Sequence, residues 1–244
     1  APPTDTVLGL HLSGELSAQG AGSGKGGAIS TSANAIEVAS DLSVSAAGGA
    51  NGGANGQWSL QSEKQIVVTA TAPAYDAGAY PSAGGAASSQ LSDAAIGGAL
   101  GRSTDVVLGS NARNAEGGQE PLGVVFDTAS AVVKSAGGTA SLRVDSVTGI
   151  GMSDRSSIRS TSGSLNVDFN ADAAGAALPP IDMPITDTNG MRIAPIVLTG
   201  ATIETNGGNV RFYGQSDAQN GRAIGYTDDT YFNVPFESAG VQVT

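Results

Sequence analysis

The sequence predicts an all-β fold, a right-handed parallel β-helix with loop insertions. Three observations lead to it. In residues 137–169, Leu142 and Val144 alternate with Arg143, and Leu165, Val167 and Phe169 alternate with Asn166 and Asp168, the period-two signature of strands with one buried face. The pattern returns in IVLTGATIETNGGNVRF. Ile158 precedes Gly163 by the same interval as Ile203 precedes Gly208, so the two segments align there without a gap, and Leu142 and Leu165 take equivalent places one period apart. Finally, only 5% of the 244 residues are aromatic while 36 are Gly, which suits a narrow Val/Ile/Leu interior and tight turns. A β-sandwich would need strands at roughly 8–12-residue spacing with fewer long loops.

Taken in order, residues 1–28 form a Pro-rich lead with the alternating Leu8, Leu10 and Leu12, read as a cap strand and loop. Residues 29–214 are the coils. Short strands are expected at Ile29, at Ile36 and Val38, and at Leu42 and Val44. A flexible glycine-rich loop follows near 46–57, then a strand pair at Trp58–Leu60 and Ile66–Val68. A Pro/Ala/Tyr-rich insertion spans 69–90. In LSDAAIGGAL the apolar spacing fits one short helical turn, but two Gly argue against a lasting helix. A strand at Val106–Leu108, a polar loop near 109–122 and the strand VVFDTASAVV lead into the best-preserved repeat. An insertion rich in Pro, Ala and Asp fills 170–192, as a coil corner tolerates. Residues 215–244 are an aromatic and Asp-rich loop, and Val241 to Val243 read as the start of a further coil. The expectation is that the natural chain continues or that ends stack on one another.

Composition bounds the function. The formal net charge is −11, from 11 Lys and Arg against 22 Asp and Glu, which is unsuited to nucleic acid or anionic lipid. Cys is absent, which favours an exported protein built without disulfides. No apolar run approaches the ~20 residues of a transmembrane helix, and APPTDTV has neither a basic nor an apolar signal region.

The succession GGTASLRVDSVTGIGMSDRSSIRSTSGSLNVDFNADAAG followed by IVLTGATIETNGGNV resembles the passenger repeats of filamentous-haemagglutinin-like large exoproteins, which Gram-negative bacteria export by two-partner secretion. The shared pattern is I-x-S-x-x-G-x-L-N-V before I-x-T-x-G-G-x-V. The likeness is close over 137–214, and WSLQSEKQIVV with LSDAAIGGALGRSTDVVLGS extends it over 57–110. Gln61-Ser62-Glu63 stands where many relatives have Asp-Pro, and the Asn-Pro-Asn-Gly-type motifs of the secretion domain are missing, so the resemblance is to shaft and not to signal. It implies a secreted or cell-surface location, an outer-membrane transporter acting on the parent protein, and a structural role projecting a distal binding or toxin module.

Chemistry is sparse. His11 is the lone histidine and lies in an alternating Leu-His-Leu strand, so neither a nucleophilic triad nor a zinc site is assembled from it. A glycosidase needs two facing carboxyls. The candidates are Asp168 with Asp172, Asp182 with Asp187, and Asp228 with Asp229; Asp168 is read as an outward, solvated carboxylate and the others as loop residues. No catalytic residue, metal or cofactor is expected. GYTDDTYFNVPFE is the one polar-aromatic cluster with contact character, so Tyr226, Asp228, Asp229, Tyr231 and Phe232 are candidate contacts for a glycan or host surface protein, the alternative function; a polysaccharide-active enzyme ranks behind both.

Overall fold

The computed structural model describes residues 9–71, 88–112, 122–171, 173, 196–214 and 241–243. They are mostly strand, and every strand pairing among them is parallel. The chain makes successive passes through the same sheets. The first comprises β1 (Gly9–Leu12), β2 (Glu15–Ser17) and β3 (Ala28–Ala33), the second β4 (Ala35–Val38), β5 (Ser43–Ser45) and β6 (Gln57–Ser62). The third differs, with β7 (Gln65–Thr69), β8 (Ser88–Ser92), α1 (Asp93–Gly101) and β9 (Asp105–Ser110). Regular passes follow: β10 (Leu122–Phe126), β11 (Ala131–Lys134) and β12 (Ala140–Ser146), then β13 (Gly149–Met152), β14 (Ser157–Ser160) and β15 (Leu165–Ala171). The last comprises β16 (Ile196–Leu198), β17 (Thr202–Glu204) and β18 (Val210–Gly214), with β19 (Val241–Val243) beyond it.

First strands of the passes form an eight-stranded sheet, β1-β4-β8-β7-β10-β13-β16-β19, and last strands a six-stranded one, β3-β6-β9-β12-β15-β18. Middle strands form the short sheets β2-β5 and β11-β14-β17. Trp58–Leu60 and Ile66–Val68 are both strands, but they do not pair with each other: Trp58 lies between Ile29 and Val106, whereas Ile66 lies between Ser89 and Val124.

The inward row Trp58, Val106, Leu142 and Val167 and its neighbour Leu60, Leu108, Val144 and Phe169 are at most 1% exposed. Few aromatics suffice because they stack. The ring centroids of Phe126 and Phe169 lie 5.9 Å apart, and those of Phe169 and Phe212 5.7 Å. Ile158 does face Ile203. The register of the preceding strand differs from the expected one by two residues: Leu165 faces Ala140, and Leu142 faces Val167. A two-residue shift preserves which face is buried, so alternation alone does not distinguish the registers.

A lasting helix forms where two glycines argued against one. Ser92 caps it by accepting from the Ala95 amide at 3.4 Å, and Asp93 supplies a favourable charge in the first turn. The helix takes the place of a middle strand, packing on β11 and β5. The Asp93 carboxylate accepts from Ala131 N at 2.7 Å, and Arg102 Nε donates to Val44 O at 2.9 Å. Gly97 is needed for close approach, because a Cβ there would fall on the Val133 backbone. Tertiary packing here overrides helix propensity.

The glycine-rich segment near 46–57 is likewise not a loose loop. It is layered on residues 18–27 by main-chain hydrogen bonds, including Gly20 N to Ala47 O at 2.8 Å, Gly49 N to Gly24 O at 2.8 Å and Gly26 N to Ala54 O at 2.9 Å.

Where the six-stranded sheet hands over to the eight-stranded one, Ser62, Ser110 and Ser146 share one row. Each hydroxyl accepts from the amide two residues on: Lys64 at 3.0 Å, Ala112 at 3.2 Å and Thr148 at 3.2 Å. This serine turn lets β6 and β12 reach the next sheet through two residues, Glu63–Lys64 and Val147–Thr148. In β15 and β18 the same row holds Ala171 and Gly214, which lack the hydroxyl; long connections follow both, and one also follows Ser110, so the serine turn permits the short crossing without imposing it. Ser146→Ala is expected to cost about 1–2 kcal/mol, since it strands the buried Thr148 amide. Urea unfolding checks this as a lower midpoint at unchanged slope.

Candidate functional site

The outer face of the six-stranded sheet carries a connected cluster of polar side chains. Alternation places Arg143, Asp168 and Arg211 in one outward row, and Gln61, Gly109, Asp145, Asn170 and Tyr213 in the next. Asp168 is not the freely solvated carboxylate that its strand position predicts. Its side chain is 12% exposed, and Arg211 grips it with two parallel hydrogen bonds, Nε to Oδ1 and Nη2 to Oδ2, both 2.6 Å. The rung spacing of a parallel sheet puts residues that are far apart in sequence within reach, so an alternating-sign row forms without any sequence motif.

Asp145 organises the second row. Its Oδ1 accepts both from Arg143 Nε at 2.9 Å and from Asn170 Nδ2 at 2.9 Å. Asn170 is fully buried, and its Oδ1 has no hydrogen-bond partner. Since Asp145 can only accept, the amide nitrogen must face it, and the oxygen is left over. Burial works against the charge on Arg143, but the Asp145 carboxylate outweighs it and raises the guanidinium's pKa. The hydrogen bonds and charge of Asp168 raise that of Arg211. Desolvation chiefly raises the Tyr213 phenol, which is 5% exposed.

His11 lies on β1 and is half-buried, with Nδ1 3.3 Å from Glu37 Oε2 one strand away. No group of three or more His, Cys, Asp or Glu that could hold a metal occurs among the described residues. Lys134 is fully buried, yet its ammonium donates to the carbonyls of Ala136 at 2.9 Å, Gly137 at 3.4 Å and Ser162. Burial pushes its pKa down, while those acceptors favour the charged form. This lysine ties the turn after β11 to the turn after β14.

Tyr226, Asp228, Asp229, Tyr231 and Phe232 lie outside the described residues, as do Asp172, Asp182 and Asp187. The residues that cluster instead, Gln61, Arg143, Asp145, Asn170, Arg211 and Tyr213, are visible in the sequence only as polar positions in alternating strands. Such positions ordinarily read as solvated surface. No helix of the described residues is long and apolar enough to cross a membrane, which says nothing of a β-barrel. Compared with known proteins, the chain matches no family model, no curated protein and no solved structure.

Proposed function

We propose that the chain is a right-handed parallel β-helix serving as a structural shaft segment of a secreted or surface-exposed bacterial exoprotein of the filamentous-haemagglutinin-like kind. In this reading it projects a distal binding or toxin module, is exported through the parent protein's outer-membrane transporter, and is not an enzyme. One observation carries it. Corresponding strands of successive passes pair in parallel, from β3 through β18 on one sheet and from β1 through β19 on the other. Rungs ~4.8 Å apart, hydrogen-bonded along a single direction, resist bending and stretching along that axis. A buried apolar cluster running from β4 to β16 ties each of those passes to its neighbours.

A second reading, a module that contacts a glycan or a host protein, draws on the placement of the long connections. Three connections, after Ser110, Ala171 and Gly214, leave the six-stranded sheet at the C-terminal ends of its strands and rejoin the eight-stranded sheet. The two readings separate on cells. Displayed beneath an epitope tag on a bacterial surface, the chain is expected to hold the tag at the same height after 113–121, 174–195 and 215–240 are replaced by short Gly-Ser links, and host-cell adhesion should be unchanged. A collapse in tag height would count against the shaft. Adhesion lost on trimming would favour the binding module.

A further inference from the structure

We propose that the cleft beside the serine turns is a binding site for an uncharged polyhydroxylated ligand, one pyranose unit of a glycan. It has a volume of about 210 Å³ and is lined by Gln61, Ser110, Asn111, Arg143, Asp145 and Asn170, among others. That is below the ~300 Å³ at which sites for drug-sized molecules begin, and it fits a single sugar ring. The site exists because four passes of the chain are stacked. Gln61 comes from β6, Ser110 from β9, Arg143 and Asp145 from β12, and Asn170 from β15. Gly109 stands between Gln61 and Asp145 in the row, and a Cβ there would collide with the Gln61 amide, so the missing side chain makes room for that amide in the cleft.

The choice of ligand follows from which polar atoms are left over. Asn170 is fully buried, and its Oδ1 is an acceptor with no partner, which is uncommon in a finished interior. Among the described residues Asp145 uses only Oδ1, leaving Oδ2 as a second acceptor, while Arg143 uses only Nε, leaving its two Nη groups as donors. The Gln61 amide makes no hydrogen bond among the described residues and offers one donor group and one acceptor. A carboxylate or phosphate would face the Asp145 carboxylate, and a cation would face Arg143. A hydroxyl both donates and accepts, so adjacent hydroxyls of a sugar satisfy both sets at once. A shaft can carry such a cleft on its side, so the site stands whether or not the chain is a shaft.

The test uses the full chain and saturation-transfer NMR with methyl glycosides of glucose, galactose, mannose and N-acetylglucosamine at millimolar concentration, with acetate and ammonium as charged controls. At least one glycoside is expected to receive saturation. Its affinity should fall about tenfold in Gln61→Ala and in Asp145→Asn, the effect of losing one hydrogen bond to a ligand. Gln61→Ala should leave the thermal midpoint unchanged, which separates lost binding from lost folding. The proposal is overturned if no glycoside receives saturation, if both variants bind as the parent does, or if acetate alone binds, which would make the cleft an anion site.

Discussion

Leu165→Asp is expected to abolish the native fold, with loss of the cooperative thermal transition and of the β-sheet circular-dichroism signal. Leu165 is fully buried, faces Ala140 across the sheet, and has Gly208 packed against its backbone on the other side. Removing the leucine forfeits about 1.5–3 kcal/mol of apolar burial. Putting a carboxylate in place of that apolar side chain adds several kcal/mol more for desolvating the charge. The whole stability of a domain is about 5–15 kcal/mol, so the sum reaches its scale. Asn166→Asp is the control. Its side chain is on the opposite face, and Oδ1 already accepts from Asn209 N at 3.0 Å, a role an aspartate oxygen can take over. If Leu165→Asp melted within a few degrees of the parent, Leu165 would not face the interior and the assigned strand face would be wrong.

That contrast between neighbours also marks what could be read from the sequence. Alternation identifies the buried faces of β12 and β15, because a one-residue slip would turn Leu165 and Val167 outward together. It does not give the register, since shifts of two residues bury the same set, and so Leu142 faces Val167 and not Leu165. The Ile158 to Ile203 pairing was legible because an equal interval to Gly163 and Gly208 anchors it. The site was not legible. Arg143, Asp145, Asp168, Asn170 and Arg211 come from three strands, and only the stacking of those strands turns separate polar positions into one hydrogen-bonded patch. Trp58 shows the same limit. Its position on a strand is evident, but the indole nitrogen is buried without a partner, a feature no local pattern announces. Helix α1 was obscured by its glycines, of which Gly97 reflects contact with β11 and not a preference for turns.

Gly56→Val is expected to cost about 3 kcal/mol or more, whereas Gly52→Ala should cost about 1 kcal/mol, although Gly52 is the residue with the unusual backbone. Gly52 has φ +87 and nothing within 4 Å of the place a Cβ would occupy, so a substitution there meets only the penalty of a left-handed conformation. Gly56 has no positive φ, but a Cβ would fall on the Gly27 carbonyl, with the Gly26 carbon at 2.5 Å and Ala46 O at 2.8 Å. The atoms it meets are backbone, which cannot rotate aside as a side chain would. Relief therefore requires separating 18–27 from 46–57, breaking Gly26 N to Ala54 O at 2.9 Å and Gln57 N to Gly27 O at 3.0 Å. The second of these begins the pairing of β3 with β6, so the damage should spread into the sheet. Hydrogen exchange should show lost protection at Ala28–Ala33 in Gly56→Val and little change there in Gly52→Ala. Equal costs for the two variants would mean that the glycines serve turn conformation alone. A larger cost at Gly56 would mean that this composition, which resembles that of a linker, is a packing requirement set by backbone lying directly on backbone.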